Sequence, residues 1–141
     1  MKKYFFVLIF GLNLLLFYPT FSIFFAADDF YVLNKVQVGN IVEFLKLFLP
    51  IKEVVYYRPL GIQFYFFITQ KIFGLNPFIF HTISFIFHFL NTFLIYKIVR
   101  KLSKNEIIAY LTCFFWATSA IHYLSLAWIV NFSYKIGRAH V

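Results

Sequence analysis

Acidic residues are almost missing from this chain. Only five of its 141 residues are Asp or Glu, and all charged residues together make up 13%. Soluble domains carry roughly 25%, so most of this surface is not built to face water. Cysteine is nearly absent too. The single Cys113 lies inside an apolar run, so neither a disulfide nor a cysteine-based metal site can be proposed from it. There is no internal repeat, and no low-complexity tract beyond a general Phe, Ile, Leu and Lys bias.

What is present is apolar and aromatic: 62% hydrophobic residues, 23 of them Phe, with a mean hydropathy of +0.81. The net charge of +8 raises the question of a nucleic-acid partner. However, the basic residues stand at the ends of apolar runs and form no stripe with spaced aromatics. Topology signals and anionic membrane lipids account for them better, and no nucleic acid is expected.

The runs give an all-α membrane protein. After Lys2 and Lys3, Tyr4 to Ala27 form 24 residues without a charge, and a span needs about 20. The rival reading, a cleaved signal peptide, wants a shorter apolar core and small residues before the cut. Here Phe25 holds the −3 position before Asp28, which favours an uncleaved anchor with a cytoplasmic N-terminus. Further spans are expected at about 77–96 and 106–123. Between the first two lies an external loop of about 28–76. Lys97, Arg100, Lys101 and Lys104 close the second span and mark its cytoplasmic end. That orientation leaves 60–73 on the outer side, as an interface-lying or re-entrant helix and not a crossing. Within the same loop, 41–49 reads as a short amphipathic helix, with Glu43 and Lys46 opposite Ile41, Phe44, Leu45 and Phe48.

Residues 135–141 (KIGRAHV) break this pattern and match one reading frame of a common sequencing-adapter oligonucleotide. The expectation is that they are not native, that 1–134 is the natural part, and that the natural protein continues past Tyr134. The organisation favours a multi-pass protein of a bacterial plasma membrane over one of the endoplasmic reticulum.

Three groups of residues are candidates for chemistry. Asp28 and Asp29 follow the first span; as a bland feature they are the polar end of a greasy helix, facing an unfavourable C-terminal dipole. As a functional pair, one is a general base or ligand of a divalent cation while the other orients it. Tyr57 and Arg58, in Tyr56-Tyr57-Arg58-Pro59, are either interfacial snorkelling residues or a site for a phosphate, which Arg binds through its planar fork. His81 and His88, seven apart on one face, with Asn91, line something polar within the second span. Interhelical hydrogen bonding is the plain alternative, and haem ligation with His122 a further one.

In order, these features are the anchor, Asp28-Asp29-Phe30, Arg58-Pro59-Leu60, Phe73-Gly74-Leu75-Asn76-Pro77, His81, His88, a basic loop and Ala127-Trp128-Ile129. Together they resemble the N-terminal part of GT-C-type membrane glycosyltransferases, related to the protein O-mannosyltransferases. The resemblance implies transfer of a sugar from a polyprenyl- or dolichyl-phosphate carrier to an acceptor, left unspecified, on the outer or lumenal face. It implies a catalytic or cation-positioning acid at Asp28 or Asp29, Asp28 first. It also places donor-phosphate or loop contacts at Arg58, with Tyr57 and His81 beside it. The stretch Ser119-Ala120-Ile121-His122-Tyr123 departs from the His-Pro-x-His pattern of such enzymes, keeping only the second histidine. A non-enzymatic transporter or lipid-flipping subunit is the alternative function.

Overall fold

The computed structural model describes residues 2–49 and 58–133. The described residues are all-helical, without a strand. Helix α1 (Lys2–Phe17) passes into a 3₁₀ turn at Tyr18–Ser22. Helices α2 (Asp28–Lys35) and α3 (Ile41–Lys46) follow. A π-helical segment, Pro59–Phe64, leads directly into α4 (Tyr65–Phe73). The chain then forms α5 (Pro77–Ser103), α6 (Glu106–Ala117), α7 (Ile121–Ala127) and a closing 3₁₀ turn at Ile129–Phe132.

The helix ends follow from local chemistry. Gly74 stops α4 at φ +69°, a conformation that favours a residue without Cβ. Three residues on, Pro77 starts α5 where its missing N–H costs nothing, and the Asn76 side chain accepts from Phe78 N. Asn105 caps α6 by accepting from Ile107 and Ile108. Asn40 and Glu43 form a reciprocal box at α3: Glu43 N donates to Asn40 Oδ1 at 2.9 Å, and Gly39 N donates to Glu43 Oε2 at 2.8 Å.

Among the described residues two helices are long and apolar enough to cross a membrane, Lys3–Ser22 and Pro77–Ser103, which makes the chain compatible with a membrane protein. A third, Glu106–Ala117 with Ile121–Ala127, qualifies only as a pair bent by 54°. These limits differ from the apolar runs. Helical structure stops at Ser22, five residues before the first uncharged run ends, and residues 23–27 carry the chain to α2 without helix. Helix α5 continues to Ser103, through the basic cluster, because Lys and Arg favour helix and hold their charges outward.

Several polar side chains are buried between the helices beside the aromatic and aliphatic core. On α5, His81, Ser84, His88 and Thr92 are buried, and on α1 Asn13 is buried. Leu8 and Leu15 on α1 are 68% and 75% exposed, and on α5 Leu90, Leu94 and Ile98 also face outward. Polar groups and aromatic rings therefore share the contacts between the helices, while apolar side chains cover much of the outer surface, an arrangement suited to lipid. Helix α5 packs along α6, and α1 against both through the turn Tyr18–Ser22 and the rings of Phe5 and Phe6. Helix α3 buries no residue and exposes Ile41, Val42 and Leu45, although Phe44 touches Phe67 of α4. Helix α4 is packed inward: Tyr65 and Phe66 join Phe25, Phe80 and Phe132 in the largest apolar cluster.

Candidate functional site

Asp28 and Asp29 occupy the first turn of α2, not the last turn of the preceding helix. The helix dipole therefore favours their charge, and the unfavourable end-of-helix placement expected from sequence does not apply. The two carboxylates have different surroundings. Asp28 is half-buried at the edge of the fold, while Asp29 is only 1% exposed. Ala26 N donates to Asp29 Oδ2 at 3.0 Å, and Val130 N, 101 residues away, donates to Oδ1 at 2.8 Å. Asp29 thus fastens the start of α2 to the 3₁₀ turn at the far end of the described chain.

Burial raises the Asp29 pKa above its ordinary 3.8; the Ala26 and Val130 bonds oppose the rise and the Asp28 charge adds to it. A carboxyl with a raised native-state pKa binds its proton more tightly folded than unfolded. The stability it contributes is full below pH 3.8 and is lost as pH rises through the raised value.

Arg58 converges on the same turn from another side, its Nη1 donating to Ser133 Oγ at 2.8 Å. Three residues later Gly61 meets Ser133 so closely that an added Cβ would lie 2.7 Å from its Cα. Only glycine permits this approach, and it lets the π-helical segment seat against Ser133. Tyr57, expected beside Arg58, lies outside the described residues, as do 135–141.

His81 reaches the same region from α5. Its Nδ1 lies 2.8 Å from Leu126 O and its Nε2 2.9 Å from Ile23 O. One ring therefore bridges the linker before α2 and the end of α7. Tyr65 completes the frame: its hydroxyl donates to Phe80 O at 2.7 Å, and its ring stacks on Phe132 at 3.8 Å. Burial raises the Tyr65 pKa, so the phenol stays protonated and keeps donating. Asp29, Arg58 and His81, far apart in sequence, all hold the segment from Leu126 to Ser133.

His88 and His122 lie apart from this site. The His88 Nε2 stands 3.0 Å from Asn13 Oδ1 and 3.1 Å from Ala117 O, so one N–H serves both acceptors. The His88 ring stacks on Trp116 at 5.0 Å and lies 4.8 Å from the ring of His122. Rings in such contact leave no space for a porphyrin between them, and haem ligation by this pair is set aside. Among the described residues no group of three or more His, Cys, Asp or Glu could hold a metal ion. A divalent cation at the aspartates would draw on the half-buried Asp28, since Asp29 is buried and both its oxygens accept backbone N–H groups.

Sequence reasoning did not find the partners Val130, Ser133 and Gly61, nor Asn13. Only Asn13 carried a signal, as the sole strongly polar residue between Tyr4 and Tyr18. Compared with protein-family models, curated proteins and solved structures, the chain matches none.

Proposed function

We propose that this chain is the N-terminal part of a multi-pass membrane glycosyltransferase of the GT-C type, taking its sugar from a lipid-phosphate carrier. The N-terminus is cytoplasmic and α2 lies at the outer face. The observation that carries the reading is the unequal pair at the head of α2. Asp28 stands half-buried just beyond the first apolar helix, while Asp29 is committed to holding the backbone around it. A carboxylate so placed sits where a lipid-phosphate sugar, anchored by its tail, would present its anomeric carbon.

In this reading Asp28 accepts the proton of the acceptor hydroxyl, or holds a divalent cation that positions it. Arg58, next to the same turn, faces the departing phosphate, whose charge a guanidinium stabilises. Asp29 and His81 are positioning residues. The order of features along the chain, from the anchor through Asp28-Asp29 to Arg58-Pro59, supports the assignment by resemblance.

The test is a transfer assay on the complete protein in membranes, supplied with radiolabelled polyprenyl-phosphate sugars. The expected result is label moved from the lipid carrier to a second product. Movement of intact lipid-linked sugar between leaflets, with no bond broken, would favour the transporter reading instead.

A further inference from the structure

We propose that the cleft between the start of α1 and the end of α5 binds the phosphate headgroup of an anionic membrane lipid. This site lies at the opposite end of the bundle from the aspartates. It rests on α1 and α5 standing in a bilayer, and not on the transferase reading.

The cleft has a volume of about 500 Å³. Four cations line it, Lys3 from α1 with Lys97, Arg100 and Lys101 from α5. The three on α5 are spaced i, i+3 and i+4, which gathers them on one side of the helix end. Among the described residues one ion pair answers them, Arg100 Nη2 to Glu106 Oε1 at 2.9 Å, and both partners are 45% exposed. The Lys97 ammonium lies 4.7 Å over the ring of Phe93, which keeps its charge at the mouth of the cleft.

The wall behind the cations is aromatic. The ring of Phe6 lies 5.4 Å from Phe93 and 5.3 Å from Tyr96, joining α1 to α5. Beyond it, Leu94 and Ile98 continue as exposed apolar surface. The positive-inside rule and the helix dipole account for basic residues here, but neither accounts for a groove with a ring-lined wall leading onto an apolar face. A free phosphate would use the cations alone. A lipid uses both parts, its headgroup on the cations and its first acyl carbons on the rings.

Native mass spectrometry of the purified chain in neutral detergent tests this, with dioleoyl-phosphatidylglycerol and dioleoyl-phosphatidylcholine offered together. One phosphatidylglycerol is expected to be retained in preference. Lys97→Gln with Lys101→Gln should lower that preference by about 5-fold per cation removed. Lys97→Arg with Lys101→Arg should keep it, as should Lys35→Gln with Lys46→Gln outside the cleft. Circular dichroism of each variant establishes that the helices are intact. Equal retention of both lipids by the unaltered chain, or unchanged preference in the Gln pair, overturns the proposal. Displacement of the lipid by inorganic phosphate would assign the cleft to free phosphate and overturn it equally.

Discussion

Asp29→Ala is expected to release the end of the described chain from the loop and to destabilise the fold by on the order of 2–3 kcal/mol. The substitution strips acceptors from Ala26 N and Val130 N, the latter at 2.8 Å in a buried site. An orphaned buried N–H costs about 1–3 kcal/mol, and a cavity adds to it. Asp29→Asn keeps the shape and one acceptor but turns an NH₂ toward the other donor, so a smaller loss is expected. The two variants can be ranked by thermal unfolding in detergent, with limited proteolysis reporting cleavage near residues 126–133. The pH dependence gives a second signature. The stability gap between the unaltered chain and Asp29→Asn should be widest below pH 3.8, where the Asp29 contribution is complete, and should narrow as pH rises. Equal thermal midpoints for all three proteins across this range would refute the clamp.

Asp28→Asn is expected to act differently: to change unfolding by no more than about 1 kcal/mol, the loss of one first-turn charge, and to lower sugar transfer by about 10²–10⁴-fold in the complete protein. The carboxylate is half-buried, and among the described residues it makes no hydrogen bond comparable with those of its neighbour. Removing its charge therefore removes proton acceptance or cation binding while the backbone stays held by Asp29. Measuring kcat at matched folded protein separates this from poor expression. Unchanged transfer would end the catalytic assignment of Asp28, and a fall in thermal midpoint as large as that of Asp29→Ala would make it a structural residue.

The sequence was most informative where local chemistry decides the outcome. Asn76-Pro77 announces the start of α5 and Gly74 the end of α4, because a cap, a missing N–H and a positive φ act within a few residues. The apolar runs gave the all-helical class and its two long helices for the same reason. What stayed hidden depends on partners distant in sequence. Helix α6 stops at Ala117 without a proline or glycine. Its carbonyl is taken by His88, and Thr118 Oγ1 donates back to Phe114 O, which helps turn the chain.

The same distinction separates the aspartates. From sequence they are an adjacent pair in which only the resemblance puts Asp28 first; the bond from Val130, 101 residues on, is what ties Asp29 into the fold. His81 and His88 were legible as buried polar residues on one face. Three of their acceptors, Ile23, Leu126 and Ala117, were not, because a backbone carbonyl leaves no side-chain pattern.

With the aspartates at the outer face, the basic cleft at the other end of the bundle must face the opposite side of the membrane. Single cysteines at Asn34 and Ser103, both exposed, can be placed in a Cys113→Ser background, where the serine hydroxyl can still donate to Thr92 O. Intact cells are then treated with a membrane-impermeant maleimide. The account predicts labelling of Asn34→Cys in intact cells, and of Ser103→Cys only after the membrane is permeabilised. Labelling of both from the same side, or the reverse order, would contradict it.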